Sequence, residues 1–329
     1  MPELRRDPLI GRWVVIAADR AFRPSPPRST VKSRAETCPF CPGQEAAATP
    51  EILAYRPAGS AANGPGWSVR VVPSRVRAVG VEGELDRSAE GLCDRMNAIG
   101  AHEVIIESPE HGKDLGELSA DQVESVLWAY RERIQDLRRD LRLRSCHVFR
   151  SRGLGSPIDH GHSQLIALPV VPRTLADELA TSRRHFEAHE RCLLCDLLAQ
   201  EKRDGARIVA ENGHAIALAP FASRSPFEVW VLPLRHHSHF EELDRAAAHG
   251  IAELLRTTLR KLDLALEGAA YQMELHTAPL REPALAHYHW SLRIAPGLIP
   301  STGAEPASGV AFNPVPPEEA AAFLRKLSA

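Results

Sequence analysis

Two histidines one residue apart lie in the stretch GSPIDHGHSQL, which covers residues 155–165. Residues two apart in a strand point to the same face, so His160 and His162 can both reach one site. Three arrangements fit this spacing: a pair of metal ligands, a nucleophile beside its neighbour, or an accidental polar strand end. The stretch alone leaves all three open.

Four of the six cysteines form two C-x-x-C pairs, Cys38/Cys41 and Cys192/Cys195. Zinc prefers four tetrahedral Cys and His ligands, and C-x-x-C brings two thiolates within reach of one ion. For the first pair we favour zinc over a turn with two buried thiols. The second pair would also lie on the core face of an amphipathic helix, so its spacing leaves zinc and burial equally open. The histidines available to the first pair are His102, His111, His147, His160 and His162.

Composition describes an ordinary soluble globular chain with room for two domains. Its 329 residues are 44% hydrophobic and 25% charged, and the formal net charge of -2 gives no reason to expect a nucleic-acid partner. The opening MPELRRDPLIGRW lacks the apolar core of a signal peptide, and no run approaches the ~20 apolar residues of a membrane span. We therefore expect a cytoplasmic protein without a membrane partner, whose cysteines are thiols or metal ligands. We expect Cys93 and Cys146 to be simply buried.

The order of elements occurs twice along the chain. Each half has a thiol pair, then apolar strands such as WSVRVVP or PFEVWVLP, then a long amphipathic helix, then strands that carry histidines. The first long helix is expected to begin at the N-cap Ser119. The pattern predicts an α+β chain of two duplicated domains, residues 1–172 and 173–329, each a mainly antiparallel sheet with packed helices.

Several motifs together resemble the galactose-1-phosphate uridylyltransferase family. CPFCPG, WSVRVVP, AHEVIIESPEH, DHGHSQLIALPVVP and FNPVPPEEAA occur in that family's order. The family is a two-domain branch of the histidine-triad superfamily, which also includes ADP-glucose phosphorylase. The resemblance covers essentially the whole chain and implies two tandem histidine-triad-like domains.

The resemblance implies that His162 is a nucleophile. Its ring would attack the α-phosphorus of a nucleoside diphosphate sugar, release sugar 1-phosphate and form a nucleotidyl-histidine. A second sugar phosphate would then collect the nucleotide, which predicts ping-pong kinetics. Neutral imidazole suits this role because it is both a nucleophile and a tolerable leaving group. Gln164 would act with it as a donor to phosphoryl oxygens. The implied substrate-binding residues are Arg23, Ser74, Ser151, Ser156, Ser163 and Gln164.

The same resemblance assigns the metal ligands. It places Cys38, Cys41, His111 and His160 around the first zinc ion. For a second metal the family offers either Glu with three His, or two Cys with two His as in ADP-glucose phosphorylase-like members. Glu178 and His276 fit the former set, but Arg293 and Ala295 stand where its last two histidines would be. Residues that fit the latter set, and predict a structural second zinc, are Cys192, Cys195, His236 and His289.

This chain departs from the family pattern around the substrate. Gly161 stands where the family has proline between the two histidines, and we expect it to loosen the backbone there. Ser74 and Ser151 replace asparagines that contact the nucleotide or phosphates, and Pro157 replaces a phosphate-binding serine. These changes leave the nucleobase and the sugar undetermined.

The sequence is therefore compatible with three functions. The leading one is a galactose-1-phosphate uridylyltransferase-like enzyme that moves a nucleoside monophosphate between sugar 1-phosphates. The second is a phosphorylase or hydrolase, in which phosphate or water takes the nucleotide. The third is a catalytically weakened nucleotide-binding protein, against which the intact run His162–Ser163–Gln164 argues. The resemblance also implies a homodimer.

Overall fold

The computed structural model describes residues 2–18, 35–153, 158–298, 305 and 308–329. The first half contains β1 (Glu3–Arg6), β2 (Trp13–Ile16), β3 (Leu53–Tyr55), β4 (Val69–Pro73), β5 (Ser88–Glu90), β6 (Cys93–Arg95), β7 (Ala101–Ile106), α1 (Ala120–Leu137), β8 (Ser145–Arg152) and β9 (His162–Leu168). The second half contains α2 (Arg173–His189), α3 (Leu193–Asp204), β10 (Ile208–Glu211), β11 (Ala215–Leu218), β12 (Val229–Pro233), α4 (Arg245–Leu266), β13 (Tyr271–His276), β14 (Ser291–Pro296), β15 (Ala311–Asn313) and α5 (Pro317–Lys326).

Ten of these strands form one sheet that runs through both halves. Its order is β10-β11-β12-β14-β13-β8-β9-β7-β4-β3, and every neighbouring pair is antiparallel. Each half supplies five strands in the same relative order from its outer edge, and the halves join where β8 pairs with β13. The predicted α+β class and the repeated element order are confirmed. The division after residue 172 stays a prediction, because the two halves share a sheet.

Helices α1 and α4 cover one face of this sheet. Ser119 caps α1 by accepting a hydrogen bond from the Gln122 backbone N–H at 3.2 Å, which is the predicted start of that helix. Asp244 caps α4 in the same way, through the Ala247 N–H at 2.8 Å. Apolar residues of both helices pack with inward-facing strand residues into the main core. The opposite face of β9 is therefore left to carry the polar residues of a site.

Two details differ from the expectations. Cys192, which we expected within an amphipathic helix, instead precedes α3 as its N-cap residue, after Glu190 in a left-handed conformation (φ 55°) has ended α2. Cys93 is exposed on the small β5–β6 hairpin rather than buried, whereas Cys146 is buried as expected. Among the described residues, no helix combines the length and the apolar character needed to cross a membrane.

Candidate active site and metal clusters

The first cysteine pair meets two histidines at one end of the sheet. Cys38 and Cys41 lie in tight turns before β3, His111 follows β7, and His160 stands two residues before β9. The Cys41 Sγ lies 3.4 Å from His111 Nδ1 and 3.6 Å from His160 Nδ1, and the Cys38 Sγ lies 3.7 Å from His160 Nδ1. All four potential ligand atoms lie within 4.8 Å of one another. This geometry can hold a metal ion.

The surroundings of this cluster suit a divalent cation. The His160 Nε2–H donates to the Ser108 carbonyl at 2.8 Å, which leaves the Nδ1 lone pair facing the thiols. Burial, together with the neighbouring Cys38, raises the pKa of Cys41 to about 11. Two buried sulfurs this close do not both ionise unless a cation compensates their charge, and a bound metal supplies that charge.

The second cysteine pair forms an equivalent cluster. Cys192 is the N-cap residue of α3 and Cys195 lies in its first turn. The Cys195 Sγ lies 3.4 Å from His236 Nδ1 and 3.5 Å from His289 Nδ1, and the four potential ligand atoms again lie within 4.8 Å of one another. The His236 Nε2–H donates to the Leu285 carbonyl at 3.1 Å. Simple burial of two thiols would not gather two histidines around them.

The two clusters occupy matching places in the two halves. His111 follows β7 as His236 follows β12, and His160 precedes β9 by two residues as His289 precedes β14. At the position of His162 the second half therefore carries Ser291. The imidazole of His162 therefore has no counterpart at the equivalent first position of β14.

His162 is oriented as a nucleophile would be. Its Nδ1–H donates to the His160 carbonyl at 2.7 Å, so Nε2 carries the lone pair. The ring packs edge-on against Phe40, with 5.3 Å between centroids. Burial lowers the pKa of His162 below its usual value, which favours the neutral, nucleophilic imidazole.

Gln164 lies on the same face of β9 as His162 and is held by His102, a residue whose type suggested only a possible ligand of the first cysteine pair. Its Oε1 accepts a hydrogen bond from His102 Nε2 at 2.9 Å. His102 Nδ1 in turn accepts from the Ala78 backbone N–H at 3.3 Å, which fixes the tautomer. The amide N–H groups of Gln164 take no part in the hydrogen bond with His102, so they can donate to phosphoryl oxygens.

The other expected substrate residues divide into three groups. Ser151 is partly buried on β8, on the face that carries Gln164. Ser74 is buried and its hydroxyl donates to the Val76 carbonyl at 3.1 Å, so its side chain is already engaged. Arg23 and Ser156, like Pro157, lie outside the described residues.

The expectation that the Ser163 side chain binds substrate is wrong. Ser163 is fully buried on the opposite face of β9, because alternate strand residues point to opposite faces. Its hydroxyl donates to Glu107 Oε1 at 2.6 Å and accepts from Tyr130 at 2.5 Å. Ser163 therefore anchors the strand from behind.

Gly161 is closely surrounded by protein atoms, and its loosening effect on the backbone stays a prediction. A Cβ at this position would lie 2.7 Å from the Lys113 carbonyl oxygen and 3.2 Å from Glu107 Oε2. Contacts this short force the neighbours to move, so the glycine is needed for close packing.

Glu178 is paired without a metal. Its Oε1 accepts from Arg293 Nη1 at 2.7 Å, and its Oε2 accepts from Tyr288 OH at 3.3 Å. Burial by itself would raise the pKa of Glu178, but Arg293 and His276 outweigh that effect and lower it. The Arg293 guanidinium thus supplies the positive charge for this buried carboxylate.

We expect Glu178→Gln to lower the free energy of unfolding by roughly 3–5 kcal/mol, because it leaves the largely buried Arg293 guanidinium without a carboxylate partner. Urea denaturation at neutral pH measures the change. Asp177→Asn is the matched control: this neighbouring carboxylate forms an exposed pair with Arg173, and its loss should cost at most about 1 kcal/mol. Equal stabilities of the two variants would contradict the importance of the buried pair.

Comparison with known proteins agrees with this geometry. Residues 1–172 match the family model of the galactose-1-phosphate uridyl transferase N-terminal domain, and residues 178–302 match that of its C-terminal domain. ADP-glucose phosphorylase of Arabidopsis thaliana is 33% identical over 99% of this chain and 93% of that protein. Galactose-1-phosphate uridylyltransferase of Thermotoga maritima is 27% identical over 99% of this chain and 98% of that protein.

Two solved structures show the same similarity over the full length of the chain. In the crystal structure of an ADP-glucose phosphorylase from Arabidopsis thaliana with bound ADP-glucose, the alignment spans 100% of both chains. The sequence identity is 32% and the TM-score is 0.85. A uridylyltransferase structure covers 99% of this chain and 97% of that chain at 29% identity, with a TM-score of 0.76. The chain belongs to the galactose-1-phosphate uridylyltransferase family. It is an enzyme of the nucleotidyltransferase type.

Proposed function

We propose that this enzyme cleaves a nucleoside diphosphate sugar through a covalent nucleotidyl-histidine on His162. The observation that carries this proposal is the orientation of the imidazole, whose Nδ1–H is fixed on the His160 carbonyl while Nε2 is left to react. Gln164, held by His102, is the proposed donor to the phosphoryl oxygens. Together they supply an attacking atom and charge stabilisation, which are the main requirements of phosphoryl-type transfer.

The proposed reaction has two displacements. In the first, Nε2 of His162 forms a bond to the α-phosphorus, and the bond from that phosphorus to the bridging oxygen breaks, so sugar 1-phosphate leaves. In the second, an acceptor oxygen attacks the same phosphorus and the imidazole leaves. A phosphate acceptor is already an anion at neutral pH, so neither step requires a general base.

We propose ADP-glucose as the donor and inorganic phosphate as the acceptor. Support comes from the ADP-glucose phosphorylase of Arabidopsis thaliana, which aligns over 99% of this chain and whose complex with ADP-glucose has the same fold. The cluster of Cys192 and Cys195 with His236 and His289 also fits the two-Cys, two-His set that the sequence resemblance implies for that branch.

A second candidate is uridylyl transfer between hexose 1-phosphates. The Thermotoga maritima uridylyltransferase, which also aligns over 99% of this chain, favours it. The pair Glu178–Arg293 argues against the second metal set with three histidines. The two candidates share the nucleophile and differ in base, sugar and acceptor.

Both Cys/His clusters are proposed zinc sites, since thiolate and imidazole in a four-ligand set favour zinc. Bound zinc would neutralise the thiolates and hold the chain, and the ion at the first cluster would fix His160 beside the nucleophile. A homodimer and a cytoplasmic location remain predictions from the sequence.

The experiment is intact-protein mass spectrometry after separate incubation with ADP-glucose, UDP-glucose, UDP-galactose and GDP-sugars. We expect a mass gain of one adenylyl group with ADP-glucose, which inorganic phosphate then discharges as ADP. A uridylyl gain discharged by galactose 1-phosphate, but not by phosphate, would support the second candidate. No covalent gain with any donor would contradict the nucleotidyl-histidine and leave the weakened nucleotide-binding protein.

A further inference from the structure

A buried polar cluster lies behind β9, on the face of the sheet opposite to His162. It consists of Glu107, Arg150, Asp114 and Tyr271, hereafter the buried ring, and each of the four is at most 8% exposed. Three come from the first half of the chain, whereas Tyr271 lies on β13 of the second half. None of them faces the proposed substrate, so the reaction as proposed assigns them no role.

Arg150 is the centre of the buried ring. Its Nε lies 2.9 Å from Glu107 Oε1 and 3.1 Å from Glu107 Oε2, and its Nη2 lies 2.5 Å from Asp114 Oδ1. The Arg150 Nη1–H donates to the Tyr271 hydroxyl at 2.7 Å, and that hydroxyl is 3.2 Å from both Asp114 oxygens. Charge-assisted contacts of this kind fix the positions of all four side chains.

The buried ring makes two contacts with the segment that carries the nucleophile, and Arg150 lies close to the same segment. Glu107 accepts the Ser163 hydroxyl at 2.6 Å, directly beside His162. The Glu107 backbone N–H donates to the Gly161 carbonyl at 3.1 Å. The Arg150 guanidinium lies 3.7 Å from the place where a Cβ of Gly161 would stand. Gly161 and Ser163, the residues on either side of His162, are therefore both held by Glu107, whose carboxylate is fixed by Arg150.

We propose that Arg150 and Tyr271 are positioning residues for His162, acting through Glu107 on the backbone of residues 160–163. This inference rests on the proposed nucleophile. The imidazole takes its orientation from the His160 carbonyl, so a shift of that backbone turns Nε2 away from the α-phosphorus. Through Tyr271, the second half of the chain helps to orient a nucleophile that it does not contain.

An ordinary structural role would not require this arrangement. Buried charges carry a desolvation cost, and well-packed apolar residues stabilise a strand at least as well. The buried ring instead fixes the positions of its side chains, because an arginine guanidinium that contacts two carboxylates can move very little. A second guanidinium also reaches Asp114: Arg152 Nη1 lies 3.3 Å from Asp114 Oδ2 and 2.7 Å from Asp263 Oδ1.

The test compares Tyr271→Phe with Tyr288→Phe. Both tyrosines are buried in the second half and both hydroxyls donate to a buried carboxylate, but Tyr288 contacts Glu178, away from the nucleophile. We measure the single-turnover rate of nucleotidyl-enzyme formation at saturating donor, the KM for the donor, zinc content and the unfolding temperature. We expect Tyr271→Phe to lower the rate roughly 10-fold without changing KM, as loss of a hydrogen bond to a charged group predicts, and Tyr288→Phe to leave it unchanged.

A second variant covers the case in which Tyr271→Phe does not fold. Arg150→Lys keeps the positive charge but removes the planar guanidinium that contacts both carboxylates. We expect a similar loss of rate at unchanged KM and zinc content. Full single-turnover rates in the folded variants would overturn the positioning role, while labelling of the wild-type enzyme would leave the proposed function standing. If the wild-type enzyme is not labelled, the proposed function fails and this inference fails with it.

Discussion

Replacing His162 with glycine should abolish nucleotide transfer while the protein remains folded and keeps its metal. The loss should reach about 10⁴-fold or more, which is the usual effect of removing a covalent nucleophile. The His160 ring would keep its contacts with Cys38, Cys41 and the Ser108 carbonyl, because none of them involves the His162 side chain. Intact mass after incubation with the donor, zinc content and unfolding temperature are measured on the same sample.

Free imidazole provides a sharp control for this variant. The cavity left by the missing ring should admit imidazole, and its attack on the donor should restore release of sugar 1-phosphate with no adduct on the protein. His189→Ala, which removes an exposed histidine of α2, should label like the wild-type enzyme. A nucleotide adduct that persists in His162→Gly would show that another residue is the nucleophile.

Local spacing was sufficient to predict the histidine pair and the repeated order of elements. The period of two in a strand places His162 and Gln164 on one face, and the same rule places Ser163 on the other. That rule was available from the sequence, so the expectation that Ser163 binds substrate could have been avoided. Where a property depends on alternation within one strand, the sequence is enough.

Contacts between distant strands could not be predicted in this way. The hydrogen bond from His102 to Gln164 depends on the register of β7 against β9 across 62 residues of chain. The buried ring requires β8 to pair with β13, which joins the two halves at a seam that no local motif marks. The break after α2 falls at Glu190, a residue type that gives no signal for a left-handed conformation.

The metal clusters predict the second large effect. Cys38→Ala should lower the zinc content from about two ions per chain to about one and should prevent the first half from folding stably. Structural zinc contributes of order 10 kcal/mol to the folding of small zinc domains, which is comparable to the whole stability of most proteins. Metal analysis together with circular dichroism measures both consequences.

The position of each cluster determines what its loss does to activity. Cys38 and His160 share the first cluster, and His160 orients His162, so a chain that has lost this metal should lose the chemistry even where it stays soluble. Cys192→Ala should also lose one zinc ion, but the contacts of His162 with the His160 carbonyl and Phe40 do not involve Cys192. Any fraction of Cys192→Ala that folds should therefore still form the nucleotidyl-enzyme.

Cys146→Ala is the matched control for both variants, because it removes a buried thiol of β8 that belongs to neither cluster. It should keep the wild-type zinc content and lose only the packing of one small side chain. Unchanged zinc content in Cys38→Ala would contradict the first site, and the same result in Cys192→Ala would contradict the second. If labelling fails in well-folded Cys192→Ala, the second cluster contributes to the reaction as well as to the fold.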